Sequence, residues 1–495
     1  MWVDEAFSLH TSSLPLLKSL RAGFFLERQA PLYFGLLHLW RAIHPSPEFA
    51  RLFSVLCGAA TLVVGARLSR HAFPDLPEVC LPALLAFHPL FLYAALEIRV
   101  YALAILLAAC LLLFFLRAFC VEGAGRRSEI AFGLLAAVAL YTQYYLGFLL
   151  VSLWAALLAT RRWRAAVRYL RPMALAGLLA VPLLLTIPGQ MRISESVPTR
   201  FSPRDLLQFL LERYDYIVLP AFNDWAMWVQ PGVKQRALFW AFRLLPWVAV
   251  AVAVRRAGFN LARNRALTLW WGALACLGLM LGAIGIVFGQ HLVVPFRYAT
   301  LFTVPGTVAL LALLAVFSRR MTLACVLLLV VSNGALTWER YRIVANEDLK
   351  VLGFGLFNKG GEARQIAQYI QRHEGPGQPI VVFPSDQALV LANYYHGVNR
   401  LVPLPRPLPL DRFDYRNLVV PSEGAVEEAL VGQENELVWL VCKHLVTMDG
   451  VSLNLHHVLD FFGSRYEVVQ EQQFIVGTVV RLLRRIPTTR EPELK

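Results

Sequence analysis

Charge is scarce in this chain. Of its 495 residues only 16% are Asp, Glu, Lys or Arg, while 57% are hydrophobic and the mean hydropathy is +0.54. Soluble domains carry about a quarter of their residues charged, so this composition excludes an ordinary one and points to the bilayer as solvent. Cysteine is sparse as well. The seven, at 57, 80, 110, 120, 276, 325 and 442, fall mostly inside apolar runs, where a thiol packs as a small hydrophobe, and no metal or redox spacing appears among them. Only Cys442 lies in the polar C-terminal part, so no intrachain disulfide is expected there. No internal repeat or low-complexity tract stands out.

The charge that is present is lopsided, with 47 basic against 33 acidic residues and a net +14. On a soluble surface that excess would suggest nucleic acid, because basic patches collect phosphates. Here the basic residues cluster in short connections between apolar runs: Arg117, Arg126 and Arg127; Arg161, Arg162, Arg164, Arg168 and Arg171; Arg255, Arg256, Arg263 and Arg265; Arg319 and Arg320. That is the positive-inside signature of a multi-span protein, and no nucleic-acid partner is expected.

A spanning helix needs roughly 20 apolar residues. Such runs lie at 49–70, 78–96, 99–119, 129–142, 144–160, 172–189, 236–254, 266–288, 298–317 and 321–338, two of them short and meeting at Tyr141–Tyr145. Placing every Arg cluster in the cytoplasm gives one consistent alternation, with the connections near 71, 120, 165, 260 and 319 inside. Residues 1–48, the Glu97–Arg99 turn, the Gln143 turn, the loop 190–235, the turn 289–297 and everything after 339 are then outside. Residues 12–28 and 31–44 read as short amphipathic helices at the membrane surface. No span precedes Asp4, so the pattern predicts a first helix upstream of residue 1. Past Arg342 a helical pattern at 361–373, a strand-like Pro379–Phe383 and apolar runs at 437–442 and 474–483 predict a small α/β domain. The expected organisation is an outer first loop (1–48), a multi-span region of about ten helices (49–340) and an extracytoplasmic α/β domain (341–495).

Several polar constellations fall on the outer side. Asp4 and Glu5 are adjacent acids just outside the membrane; acids at a helix start also favour its dipole, while a carboxylate there suits a general base, and Asp4 is the stronger candidate. Glu97, Arg99 and Tyr101 sit between two apolar runs, where ionisable groups usually face a cavity or a partner, or else merely pair within a turn. Arg297, followed by Tyr298, ends a span. A lone Arg there often snorkels to headgroups; turned inward, its permanently charged fork fits a phosphate. Gln143 with Tyr144 and Tyr145, and Tyr33 after Pro31, are further polar patches for which an interfacial aromatic belt is the simpler account. Tyr214, Asp215, Tyr216, Asn223, Asp224, Trp225 and Trp228 in the long outer loop suit carbohydrate contact and interfacial anchoring equally well.

The order of these pieces is telling. Trp2-Val-Asp-Glu-Ala-Phe-Ser8, Ala30-Pro-Leu-Tyr33 with Leu37-His-Leu-Trp40, Glu48-Phe-Ala-Arg-Leu-Phe-Ser54, Pro89-Leu-Phe-Leu-Tyr93 leading to Glu97-x-Arg99-x-Tyr101, Tyr141-Thr-Gln-Tyr-Tyr145, and Arg297-Tyr298 ahead of Pro305 together resemble the membrane glycosyltransferases of the GT-C superfamily. The similarity is to the bacterial branch of protein O-mannosyltransferase-like and aminoarabinose-transferase-like proteins (glycosyltransferase family 39-like), and it covers the membrane region and the outer domain. It implies a multi-pass protein of the bacterial inner (plasma) membrane with its C-terminal domain extracytoplasmic, a sugar donor on polyprenyl phosphate, and a lipid, glycan or protein acceptor. It also implies catalysis by an acidic residue of the first outer loop, matching Asp4. Two departures are the absent first transmembrane helix and Gln143 where many relatives have His. The expected chemistry is inverting transfer, with Asp4 as base, Arg297 and Arg99 on the phosphate and Glu97 orienting Arg99 or the sugar. No cofactor is required, although a divalent cation is compatible with the carboxylates. The alternative is a lipid flippase or transporter, which would place ionisable residues near the bilayer midplane rather than at one face.

Overall fold

The computed structural model describes residues 3–25, 27, 29–121, 125–186, 252, 255, 265–288, 300, 302–345, 362–410, 415–431, 436–443, 447–448, 451–474 and 477–487. The chain forms two compact units. One comprises residues 1–11, 25–27 and 343–495, and the other residues 12–24 and 28–342.

The larger unit is helical. It contains α2 (Leu16–Phe25), α3 (Leu32–Arg41), α4 (Pro47–Ala72), α5 (Cys80–Ala86), α6 (Pro89–Leu96), α7 (Tyr101–Phe115), α8 (Arg126–Thr142), α9 (Leu146–Ala159) and α10 (Trp163–Leu184), then helices at Arg265–Phe288, Thr303–Leu314 and Arg319–Ala345. α1 (Val3–Ser13) precedes them. Among the described residues three helices are long and apolar enough to cross a bilayer: α4, α7 continued through Cys120, and α10. Shorter apolar helices lie at Leu146–Ala159, Thr268–Met280 and Thr303–Leu314. The expected span 236–254 lies, except for residue 252, outside the described residues.

The run 78–96, expected as one span, is two helices. Pro89 has no N–H to give and its ring disfavours helix in the residue before it, so His88 leaves the helix (φ −73°, ψ 123°) and its imidazole accepts the Leu90 N–H at 3.2 Å. Hydropathy is blind to that break because the apolar run is continuous. The span expected at 172–189 begins earlier, at Trp163, so Arg164, Arg168 and Arg171 stand on its opening turns. α8 meets α10 closely at Gly133, where an added Cβ would lie 2.9 Å from the Pro172 carbonyl.

The sheet of the smaller unit runs β2 (Leu401–Pro403), β1 (Ile380–Phe383), β3 (Leu437–Lys443), β7 (Thr478–Arg485), β6 (Tyr466–Gln473). β1 pairs in parallel with β2 and β3, and β7 lies antiparallel between β3 and β6. A separate hairpin joins β4 (Thr447–Met448) and β5 (Val451–Ser452). Within the apolar run 474–483, β7 begins at Thr478, directly after Gly477 (φ +83°). Period-two alternation then builds two cores. Ile380, Val382, Trp439 and Val441 pack with Ile366 and Ile370 of the helix Glu362–His373 on one face. Val381, Phe383, Val438 and Leu440 pack with Val426, Val458 and Phe461 on the other.

Directly after β1, Asp386 is fully buried. Burial pushes its carboxyl up to about 6, opposed by the Lys443 charge and hydrogen bonds with Gln387. The folded chain therefore holds this proton where the unfolded chain, with a value near 3.8, has lost it. The stabilising contribution is complete below about pH 4 and is lost as pH rises through 6. Hydrogen exchange of the β1 and β3 amides, corrected for intrinsic rates, is expected to show protection falling between pH 5 and 7 in the native chain. Asp386→Asn should abolish that slope; an unchanged slope would exclude Asp386 as its source.

Candidate functional site

The helices of the larger unit are tied at both ends, and the ties differ in character. At one end Arg117 Nε meets His71 Nε2 at 3.4 Å, Arg162 donates to the Cys120 carbonyl at 3.2 Å, and Arg168 donates to the Ala118 carbonyl at 3.1 Å and to Glu129 at 2.7 Å. The last turn before Cys120 widens to a π-helix (Leu116–Cys120). These contacts gather the C-termini of α4 and α7 with the N-termini of α8 and α10 into one basic end.

The opposite end therefore collects the N-terminus of α4, the C-terminus of α6, the N-terminus of α7 and the C-terminus of α8. Ser46 caps α4 by accepting the Phe49 N–H at 3.2 Å, with Pro47 in the first turn. Tyr33 of α3 is buried, its ring 6.1 Å from Phe53 of α4, and Trp40 stacks on Phe49 at 4.8 Å while its Nε1 donates to the Phe49 carbonyl. α6 ends at Glu97, whose backbone is extended (φ −100°, ψ 144°). From there the chain turns through Ile98, Arg99 and Val100 into Tyr101, the first residue of α7. The whole turn is inside the protein, with Glu97 and Arg99 each 5% exposed and Tyr101 fully buried. Gln143, 3% exposed, ends α8 at the same level.

Five of the sequence-derived candidates, Tyr33, Glu97, Arg99, Tyr101 and Gln143, thus share one end of one unit. Asp4 and Glu5 belong to the other unit, in the first turn of α1, where the Ser8 hydroxyl donates to the Asp4 carbonyl at 3.1 Å and Glu5 is buried. Arg297 and Tyr298, and the aromatic loop 200–235, lie outside the described residues. Among the described residues no group of three or more His, Cys, Asp or Glu side chains is arranged to hold a metal ion.

Two residues that stand within the Glu48–Ser54 motif, but not among the site candidates, enter here. Arg51 Nε donates to the Leu96 carbonyl at 2.7 Å and the Ser54 hydroxyl to the Glu97 carbonyl at 2.6 Å. Their signal in the sequence was a polar pair at helical spacing (i, i+3) early in an apolar span. The sidedness of the two ends is open to direct measurement. In a cysteine-free background on intact cells, His44→Cys should react with a membrane-impermeant maleimide and Arg164→Cys only after the membrane is opened. The reverse pattern would put the basic end outside.

No protein-family profile matches the chain, and no curated protein matches it by sequence. Solved structures do match. ArnT from Cupriavidus metallidurans in the apo state is 15% identical over 97% of this chain and 93% of its own, with a TM-score of 0.44. The same protein bound to undecaprenyl phosphate matches at 14% and 0.43 over the same shares. The archaeal oligosaccharyltransferase AglB from Archaeoglobus fulgidus, in complex with an inhibitory peptide and a dolichol-phosphate, is 12% identical over 89% of this chain and 65% of its own, with a TM-score of 0.41. Identities of 12–15% with TM-scores below 0.5 leave every residue role to this chain's own geometry.

Proposed function

We propose that this chain is an inverting glycosyltransferase that moves a sugar from a polyprenyl-phosphate donor to a lipid, glycan or protein acceptor at the outer face of the membrane. The supporting observation is the sealed turn Glu97–Tyr101: an acid and a guanidinium, each 5% exposed, at the end of the helical unit opposite its basic connections. Ionisable groups enclosed near membrane depth are rare and mark a functional site. A ligand able to reach them sideways from the leaflet, with its own charge at headgroup level, is a lipid phosphate.

In this scheme Asp4 takes the proton from the acceptor hydroxyl or amine, with Glu5 beside it. The acceptor oxygen or nitrogen bonds to the anomeric carbon from the face opposite the phosphate, the carbon–oxygen bond to phosphate breaks, and the lipid phosphate leaves with the electron pair. Arg297, assisted by Arg99, holds the phosphate oxygens, where negative charge grows as that bond breaks. Glu97 orients Arg99 or accepts from a sugar hydroxyl, and Tyr33, Tyr101, Gln143 and Tyr298 line the sugar and lipid path. The carboxylates suit a divalent cation, but no step depends on one.

The test is transfer by the purified full-length protein in vesicles supplied with polyprenyl-phosphate sugars. Asp4→Ala and Arg297→Ala should each lower the rate by about 100-fold or more, the usual consequence of losing a general base or an oxyanion-stabilising charge. Transfer that survives both substitutions would show that the site is elsewhere.

A further inference from the structure

In the helical unit α4 holds the Glu97–Arg99 turn by its backbone. The last carbonyls of any helix have no partner in their own ladder. At the end of α6 the Glu97 N–H returns to the Ala94 carbonyl at 3.4 Å. The carbonyls of Leu96 and Glu97 are both taken by side chains of α4: Leu96 by Arg51 and Glu97 by Ser54. One turn further along the same face stands Gly58. An added Cβ there would lie 3.2 Å from Ala95 Cβ and 3.6 Å from the Phe91 ring, so the absence of a side chain is what lets α4 approach α6. Ser54 itself is 1% exposed. Arg51, Ser54 and Gly58 recur at i, i+3 and i+7, which places all three on one stripe.

We infer that Arg51 and Ser54 are positioning residues for the proposed reaction: by fixing the carbonyls of Leu96 and Glu97 they set where the Glu97 and Arg99 side chains stand against the donor's phosphate and sugar. The inference rests on the reading that Arg99 meets the lipid phosphate. The mechanism is mechanical. With the main chain of residue 97 pinned from α4, Glu97 and Arg99 leave the backbone at a fixed height, and a charged side chain held there needs no rearrangement when the anion arrives. Without the pin, the Glu97 carbonyl must find another donor, and the turn can find one only by rotating. A displacement of about 1 Å is enough to lower a reaction rate on the order of 100-fold.

The test uses the full-length protein in detergent with undecaprenyl phosphate as probe, reading Kd from intrinsic tryptophan fluorescence on monodisperse samples. Arg99→Gln should weaken binding at least about 10-fold. Ser54→Ala should weaken it about 3- to 10-fold, while Ser54→Thr, which keeps the hydroxyl, should restore it to within about 2-fold of the native chain. Should Ser54→Ala not fold, Arg51→Gln, on the more exposed side of the same contact, is expected to weaken binding by a similar factor. If Arg99→Gln leaves Kd unchanged, the phosphate reading itself fails. If Arg99→Gln weakens binding while Ser54→Ala, or Arg51→Gln in its place, does not, the phosphate reading stands and the positioning role is wrong. Equal weakening by Ser54→Ala and Ser54→Thr would likewise reduce the serine to a packing role.

Discussion

The last carbonyl oxygens of a helix have no partner in their own ladder, and in this protein's helical unit side chains from neighbouring segments take several of them. At the basic end, Arg162 and Arg168 reach back to the carbonyls of Cys120 and Ala118, where the α7 ladder widens into a π turn and runs out. At the other end, Arg51 and Ser54 do the same for Leu96 and Glu97. Tyr169, fully buried, donates to the Leu150 carbonyl at 2.9 Å, and Trp271 to that of Ala309 at the same distance. Each contact joins a side chain of one segment to the backbone of another, so these hydrogen bonds help to fix how the helices lie against one another.

The same constraint separates the two ends chemically. At the basic end the carbonyl partners are guanidiniums, with Glu129 as counter-ion to Arg168. At the other end one partner is a neutral hydroxyl, and the charges that remain, Glu97 and Arg99, are enclosed with the turn they stand on. Enclosed charge is where protein electrostatics act most strongly, because the local dielectric is low. This is why a site for a phosphate-bearing lipid is proposed there and not among the more numerous but better solvated arginines of the opposite end.

Hydropathy and arginine placement made the helical unit legible. The apolar runs at 49–70, 99–119, 129–142 and 144–160 each coincide with a helix that extends a few residues beyond or stops just short of them. The break at His88 was hidden because a proline's missing N–H is a backbone property that side-chain polarity does not register. The start of β7 was hidden for a related reason: Gly477, directly ahead of it, stands inside a run that reads as one apolar segment. Sheet order was beyond reach, since β2 and β3 flank β1 through crossover connections that no local pattern encodes. Within the candidate site, Glu97 and Arg99 stood out as rare charges in an apolar stretch. Arg51 and Ser54 did not, because their role lies in contacts 45 and 43 residues away in the chain.

Locating the phosphate tests the central claim most directly. A diazirine-bearing undecaprenyl phosphate, photolysed in membranes containing the full-length protein and mapped by peptide mass spectrometry, is predicted to label the segments around Arg51–Ser54 and Glu97–Tyr101. Labelling confined to the basic end, around Arg117–Glu129 and Arg162–Arg171, would contradict the account.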